Sequence, residues 1–344
     1  MEKKVSIRDI ASHLGVSTAL VSYVLNNKKD RVSPEMTAKI RKAAEELNYR
    51  PNLIAKSLKS GRTNTLGLIV ADIANPFFSQ IARIIEEEAQ RAGYIVIFGS
   101  NGESVEKSQA LTDALLNRQV DALIIAPAEG TEEQIRSLQA KQVPFVLIDR
   151  YFSDLVTDSV HINNYEAART AVGHLALSGY RRIAMLAYET GMQHIAERKR
   201  GYLDALKEHG ITFRDEWLVQ ANYHNLDRDV PVVMHKLLKE GNVDAIFFAT
   251  NTLAVHGMRQ VMQMNVKVPD KLAIVSFDET EAFDFFYAPI PFVRQSMEDI
   301  GREAVKLALE NIAQKRSGQK EVFAGYELKA RDGVLSTAIQ KQPS

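Results

Sequence analysis

Residues 17–26 combine small polar side chains with a regularly spaced apolar stripe. Leu20, Val21, Val24 and Leu25 fall on one face of an α-helix, and Ser17 is suited to cap its first turn. The opposite face offers hydroxyl, phenol and amide groups, which form hydrogen bonds with base edges and with phosphates. That face consists of Thr18, Ala19, Ser22, Tyr23 and Asn26.

The preceding segment supplies a partner for this helix. An apolar repeat predicts a short amphipathic helix that Ser6 caps and Gly15 ends. Its buried face consists of Ile7, Ile10, Ala11 and Leu14. The three-residue turn between the two helices is typical of a helix-turn-helix, whose second helix lies in the major groove of DNA.

A third helix completes a compact basic head. Ser33 followed by Pro34 predicts its start, because proline is favoured in the first helical turn. Its inward residues are Met36, Ile40, Ala43, Ala44 and Leu47. Residues 1–62 contain 13 Lys and Arg against 6 Asp and Glu, a net +7, so the rest of this chain of net charge zero carries −7. A basic head is typical of contact with polyanions; a solvated basic face is the alternative.

The composition restricts the function classes further. With 344 residues, of which 45% are hydrophobic, the chain has material for a large core. The absence of cysteine excludes disulfides, thiolate zinc sites and cysteine nucleophiles, and suits a reducing compartment. Residues 1–10 lack the apolar stretch of a signal peptide, and no later run approaches the roughly 20 apolar residues that span a bilayer. We therefore expect a cytoplasmic protein that makes no membrane contact.

From Leu66 onward, short apolar runs alternate with amphipathic stretches. The runs are apolar on both faces, which predicts fully buried strands of parallel sheets. Between them lie predicted helices such as Phe77–Arg91, followed by Gly93. Because the series repeats after about residue 165, we expect two doubly wound sheets. The predicted strands are Leu66–Val70, Tyr94–Phe98, Asp121–Ile125, Pro144–Ile148, Arg182–Leu186, Ala245–Phe248 and Leu272–Ser276.

Two facing parallel sheets form a natural ligand cleft. Ligands bind outside the carboxyl ends of the strands, so polar side chains directly after the strands are candidates for contact. An enzyme is not favoured, because no Gly-rich phosphate loop, His-Glu-x-x-His or Gly-x-Ser-x-Gly occurs. His194 and His224 fall near the expected cleft but do not make a catalytic set. We expect no catalytic residue, no metal and no cofactor.

The head resembles that of the LacI/GalR family of bacterial transcription regulators. The resemblance is carried by Ser6–Asn26, Val32-Ser33, Leu47–Asn52 and Ala55–Leu58. It implies a helix-turn-helix domain over 1–50 and, over 51–63, a hinge that is helical only on palindromic operator DNA, where Leu58 enters the minor groove. The DNA contacts it implies are Ser6, Ser17, Thr18, Ala19, Ser22, Tyr23, Asn26, Arg31, Tyr49, Asn52, Ala55, Lys56 and Leu58.

The rest of the chain resembles the same family. Its motifs follow in order as Asn75–Phe78, Leu147–Arg150, Asn163-Asn164, Arg198–Tyr202, Ala249–Asn251, Ser276–Asp278 and Val293–Gln295. The resemblance implies a core over 64–344 like that of periplasmic binding proteins, with one lobe at about 64–163 and 292–322 and the other at about 164–291 and 323–340. It also implies a homodimer and a small effector held between the lobes. The effector contacts it implies are Asn75, Phe78, Asp149, Asn163, Arg198, Tyr223, Asn251 and Asp278.

Other interpretations stay open for several of these residues. Tyr23 stands where the family usually has Arg or His, which leaves the operator sequence open, and simple surface packing is its alternative role. In the alternative interpretation of Arg198 and Asp278, the two form a structural ion pair. In the alternative interpretation of Phe78, its side chain belongs to the hydrophobic core. Asn163 and Thr252 stand where the family often has Asp, so we expect a cleft with fewer acids that tolerates a sugar acid or sugar phosphate as well as a neutral sugar.

Two other functions are compatible with parts of this pattern. A sugar-binding protein without a regulatory role would have the same core, although the basic head argues against it. A regulator controlled by a partner protein would have the same head. We expect a sequence-specific DNA-binding repressor with a sugar-type effector.

Overall fold

The computed structural model describes residues 5–26, 32–49, 61–314 and 319–331. The chain forms two compact units, residues 1–63 and 64–344. Five of the expected DNA contacts lie outside the described residues, as does most of the expected hinge at 51–63. These five are Arg31, Asn52, Ala55, Lys56 and Leu58.

The head contains the three predicted helices. They are α1 (Ile7–Leu14), α2 (Thr18–Leu25) and α3 (Pro34–Glu46). The backbone N–H and the hydroxyl of Ser6 both donate to the Asp9 carboxylate at 2.7 Å, which ties down the start of α1. The Ser17 and Ser33 hydroxyls accept from backbone N–H groups in the first turns of α2 and α3. The centre of the head consists of Ile10, Ala11, Val21, Val24, Ile40, Ala43 and Ala44.

The first sheet of the core has six strands, all paired in parallel. Its strands are β1 (Thr65–Val70), β2 (Ile95–Ser100), β3 (Ala122–Ile125), β4 (Phe145–Ile148), β5 (Ser159–Ile162) and β11 (Glu321–Ala324), in the order β11-β5-β4-β3-β1-β2. The helices between β1 and β4 are α4 (Pro76–Arg91), α5 (Val105–Asn117) and α6 (Glu132–Ala140).

The second sheet repeats this plan. Its strands are β6 (Ile183–Tyr188), β7 (Leu218–Ala221), β8 (Ala245–Phe248), β9 (Ala273–Phe277), β10 (Phe292–Gln295) and β12 (Tyr326–Lys329), in the order β12-β10-β9-β8-β6-β7. Only the β10–β12 pairing is antiparallel among the described strands. The remaining helices are α7 (Asn164–Leu177), α8 (Gln193–Glu208), α9 (Leu226–Lys239), α10 (Asn251–Gln263), α11 (Ala282–Phe285) and α12 (Met297–Gln314). Every described helix is too short or too polar to cross a membrane.

The chain passes between the two sheets three times, near Asn163, Ser296 and Gly325. The backbone N–H of Ser296 donates to the carbonyl of Gly325 at 2.8 Å, which joins the last two crossings. This corrects the expected lobe bounds. Phe292–Gln295 pairs in the second sheet, although 292–322 was expected in the first lobe. Glu321–Ala324 pairs in the first sheet, although the second lobe was expected to resume at 323.

The expectation that Tyr94–Phe98 is a fully buried strand is wrong. The strand there is β2, which lies at the edge of the first sheet, and Ile95 and Phe98 are 63% and 59% exposed. An edge strand has a neighbour on one side only, so a continuous apolar run does not ensure burial on both faces. The other predicted strands are buried except at their first positions Asp121, Pro144 and Arg182.

Helices α7 and α8 make a close backbone contact at Gly201. A Cβ atom at this position would lie 2.3 Å from the carbonyl oxygen of Tyr165 and 3.0 Å from the backbone nitrogen of Arg169. Neither backbone atom is able to move without shifting its helix. The close approach fixes α8, and with it the side chains that α8 carries.

We predict that Gly201→Ala lowers the free energy of unfolding by about 1–3 kcal/mol, because the two helices must separate. Urea denaturation followed by circular dichroism measures this. Gly173→Ala is the matched control, since its Cβ would make an ordinary 3.4 Å contact with His209. Equal stability of the two variants would contradict the close packing at Gly201.

Candidate functional site

The outer face of α2 carries the polar residues expected to contact DNA. Thr18, Ala19 and Asn26 are exposed, and Ser22 and Tyr23 are partly buried. The Asn26 side chain donates to the backbone carbonyl of Ser22 at 2.8 Å, which fixes the end of this face. Because Val21 and Val24 fill the head's centre, the face points away from it.

Three other expected DNA contacts have structural roles in the head. Ser6 and Ser17 hold the starts of α1 and α2, as described above. Tyr49 packs against the apolar centre, and partial burial raises the pKa of its phenol. The helix-capping role of both serines leaves their exposed hydroxyls at the surface of the head.

A cleft of about 440 Å³, open to solvent, lies where the carboxyl ends of the two sheets meet. Its lining comes from the loops after β1, β2, β4, β7, β8 and β9, from the end of β6 and from helices α4 and α8. Six of the eight expected effector contacts line it. These are Asn75, Phe78, Asp149, Arg198, Asp278 and Tyr223, and Tyr223 also faces a neighbouring compartment.

Arg198 is the most deeply buried charged side chain of the cleft, with 2% exposure. Its Nε donates to Asn164 Oδ1 at 2.8 Å, and its Nη1 donates to the carbonyl of Ala249 at 2.7 Å. The guanidinium carbon lies 3.4 Å from the centre of the Phe277 ring. Burial lowers the pKa of Arg198, and Asp278 is the main charge that opposes this. Among the described residues, none accepts from Nη2, which leaves this nitrogen for a ligand.

Asp149 and Asp278 occupy equivalent places at the ends of β4 and β9. Both have left-handed backbones, with φ of 63° and 67°, a conformation that non-glycine residues seldom adopt and that clusters at functional sites. Burial raises the pKa of Asp149, and burial raises that of Asp278 to about 6. Gln295 donates to Asp278 at 2.7 Å. Within the described part of the chain, Arg198 forms no ion pair with Asp278, so the alternative of a structural bridge is not met.

Polar contacts join the two lobes across the cleft. The side-chain amides of Asn75 and Asn251 donate to each other's oxygens at 3.3 and 3.1 Å. Asn251 is thus a link between lobes, with 1% exposure, and does not line the cleft itself. The Tyr223 hydroxyl donates to Asp72 at 3.0 Å, and burial raises the pKa of this tyrosine. Side chains of the two lobes are therefore linked by hydrogen bonds across the cleft.

Asn163 does not reach the cleft. Its side chain accepts from the backbone N–H of Glu166 at 3.0 Å and caps α7, at the first crossing between the lobes. The adjacent Asn164 is buried instead and orients Arg198. The cleft still has more acids than arginines. Its acids are Asp72, Glu103, Asp149 and Asp278, and its arginines are Arg150 and Arg198.

Several cleft residues were missed from the sequence. Arg150 forms a bidentate ion pair with Glu103, at 2.7 Å for both contacts, and lies 5.7 Å from the Phe78 ring. Glu103 follows an edge strand that gave no site signal. His194, which the sequence placed near the cleft, precedes Arg198 by one helical turn on α8 and lines the cleft.

Comparison with known proteins decides the family. A family model described as bacterial regulatory proteins of the lacI family matches residues 6–52. Another, described as periplasmic binding proteins and sugar binding domain of the LacI family, matches residues 63–331. The chain belongs to the LacI family. The predicted family and fold class are therefore confirmed.

Curated relatives and solved structures of LacI-family proteins extend over nearly the whole chain. Catabolite control protein A of Priestia megaterium is 33% identical over 88% of this chain and 91% of its own length. The HTH-type transcriptional repressor PurR of Vibrio vulnificus (strain CMCP6) is 30% identical over 96% and 98%. The structure of the Lac repressor bound to ONPG in the repressed state is similar with a TM-score of 0.82 and 25% identity, and covers 96% of this chain and 99% of that one.

We predict that Asp278→Asn stabilises the protein without effector at pH 7.5 and that the gain disappears toward pH 4. Because the folded pKa of about 6 lies above the ordinary 3.8, the contribution of Asp278 to stability is full below the ordinary pKa and is lost as pH rises through the folded one. The gain is of the order of 3 kcal/mol at most.

Chemical denaturation between pH 4 and 8 checks this prediction. The exposed Asp270→Asn is the control. A gain that is independent of pH would mean that ionisation of Asp278 is not its source.

Proposed function

We propose that this LacI-family protein is a homodimeric repressor whose affinity for a palindromic operator is set by a sugar-type effector in the cleft. The observation that supports this proposal most strongly is the lining of the cleft. It combines carboxylates, the oriented guanidinium of Arg198 and aromatic rings. Carboxylates accept from sugar hydroxyls, a guanidinium donates to sugar oxygens, and aromatic rings pack on the apolar face of a sugar. A cleft with more acids than arginines favours a neutral sugar over a sugar acid or sugar phosphate.

The head supplies the DNA-reading part of the proposal. A two-fold dimer presents one α2 helix to each half-site, so the operator has matching two-fold symmetry. The residues proposed to face base edges are Thr18, Ala19, Ser22, Tyr23 and Asn26. The relatives above are named as a repressor and a control protein. The proposed function contains no catalytic step. It places the protein in the cytoplasm.

The effector acts through the lobes in this proposal. It binds one arrangement of the lobes better than the other and thereby shifts the population of DNA-binding dimers. A coupling of about 1–3 kcal/mol changes operator affinity by roughly 5- to 150-fold. In the alternative, a partner protein controls the repressor in place of a small effector. That alternative would leave the oriented guanidinium of Arg198 in the cleft without a role.

Selection of DNA from a random duplex pool by the full-length protein tests the proposal. We expect a palindromic sequence to be enriched, with affinity that falls steeply as salt rises. Enrichment of no sequence over the random pool would overturn the proposed function.

We predict that Ala19→Asp weakens binding to the selected sequence at least about tenfold, because the added carboxylate faces the DNA's negative charge. Ala38→Asp, on the exposed side of α3, is the matched control for added charge in the head. Fluorescence anisotropy with labelled duplex measures both. Equal losses in the two variants would mean that the face of α2 has no special part in binding.

We predict that Arg198→Met removes the effector's influence on operator affinity while operator binding itself persists. Methionine fills much of the space of the arginine but has no donor for the ligand. Arg200→Met, an exposed arginine on the same helix, is the control and retains the response. The two variants are compared by operator titration with and without effector. A normal response of Arg198→Met would show that the effector binds elsewhere.

A further inference from the structure

A second compartment of about 560 Å³ adjoins the cleft on its outer side. We call it the outer compartment, and the cleft described above the inner compartment. They share five residues, namely Glu103, Arg150, Tyr188, His194 and Tyr223. Because these five line both spaces, one ligand is able to extend from one compartment into the other.

The two compartments differ in their charged groups. The inner compartment contains Arg198, Asp149 and Asp278, and none of these three lines the outer compartment. A ligand of one ring over these groups would leave the outer compartment unused.

Two buried polar atoms at the junction of the compartments have no hydrogen-bond partner among the described residues. These are His194 Nδ1 and Arg150 Nε. His194 is 5% exposed, and burial, followed by the charges of Arg150 and Arg198, lowers its pKa far enough to keep the ring neutral. The nearest oxygen of Asp149 lies 3.5 Å from Arg150 Nε without forming a hydrogen bond. Unpaired buried polar atoms are costly, so this donor and this imidazole nitrogen are suited to oxygens at a sugar linkage.

The walls of the outer compartment suit a second sugar ring. Tyr188 and Tyr223 stand edge to face with their ring centres 5.6 Å apart, and Met192 adds apolar surface. Polar atoms of Asn222 and His224 complete the wall. This mixture of aromatic and hydrogen-bonding groups is typical of sites for hydroxylated rings.

A contact between the lobes bounds the outer compartment. Glu129, in the loop after β3, accepts from the Thr190 hydroxyl and from the backbone N–H of Gly191, each at 2.7 Å. Thr190 and Gly191 follow β6 in the other lobe. The contact therefore encloses the outer compartment when the lobes are together.

The charges of both compartments disfavour a charged ligand. The outer compartment adds two acids, Glu129 and Glu189, and no further arginine or lysine among its described lining. The guanidinium of Arg150 is already paired with Glu103. An anion would thus meet more carboxylates than guanidinium groups, whereas hydroxyl groups would donate to the carboxylates.

We propose that the outer compartment is a second sugar subsite and that the effector is an uncharged saccharide of two linked rings, whose linkage lies beside His194 and Arg150. This proposal rests on the proposed function, because it assigns the size and charge of the ligand in the same cleft. The inner ring contacts Arg198 and Asp278. The outer ring contacts Tyr188 and Tyr223.

The test uses the full-length protein and a panel of neutral disaccharides, each beside its own monosaccharides, with uronic acids and amino sugars as charged probes. Thermal shift identifies binders, and calorimetry gives their dissociation constants. We expect at least one disaccharide to bind at least about tenfold more tightly than either of its monosaccharides, as two further hydrogen bonds would give. Glu189→Trp, which fills the outer compartment, should bring this ratio to about one. The exposed Glu240→Trp is the matched control and should retain the ratio.

Thr190→Val is a second variant that removes one hydrogen bond of the Glu129 contact without adding bulk. It should lower the ratio severalfold. Monosaccharides that bind as tightly as disaccharides, a ratio that survives Glu189→Trp, or preference for a charged probe would overturn the proposal. Selective operator binding without a response to any neutral sugar would also overturn it, yet leave the DNA-binding function standing. Loss of both would overturn the proposed function itself.

Discussion

The buried guanidinium of Arg198 is the interaction on which the cleft depends. A charge with so little exposure is costly unless it is paired or hydrogen-bonded, and here Asn164, the carbonyl of Ala249 and the ring of Phe277 surround it. These three come from the start of α7 and from the ends of β8 and β9. The parallel sheet is what brings them together, because the carboxyl ends of its strands lie at one edge. The close contact of α8 with α7 at Gly201 then holds the arginine against them.

The same geometry explains how an effector is able to change the position of the lobes. Each link across the cleft joins a loop of one sheet to a loop of the other, as Asn75 to Asn251 and Asp72 to Tyr223. Such partly buried hydrogen bonds between neutral or singly charged groups each contribute about 1 kcal/mol. A ligand that contacts both lobes adds free energy of the same order, which is sufficient to shift an equilibrium between two arrangements.

The sequence predicted the head almost completely, since its caps and apolar repeats are local signals. It predicted most strands, but not that β2 lies at an edge, because burial of an apolar run depends on its neighbours. Asn163 and Asn164 show the limit for the site: one caps a helix and the other orients Arg198, and a shift of one residue decides between them. The pairing of Glu103 with Arg150 joins residues far apart in the chain, which no local pattern reports. The expected lobe bounds were wrong for β10 and for the last two residues of β11, because the chain crosses between the sheets twice within about thirty residues.

The distance between the lobes, measured with and without effector, tests the central claim most directly. Because the chain contains no cysteine, spin labels attach only where cysteines are introduced, as in Ala110→Cys of the first lobe with Lys236→Cys of the second. Pulsed electron paramagnetic resonance on the full-length protein gives the distance distribution. A sensor that closes on its effector predicts a shorter and narrower distribution when the effector is bound. An unchanged distribution, in a sample whose operator affinity does respond to the effector, would contradict it.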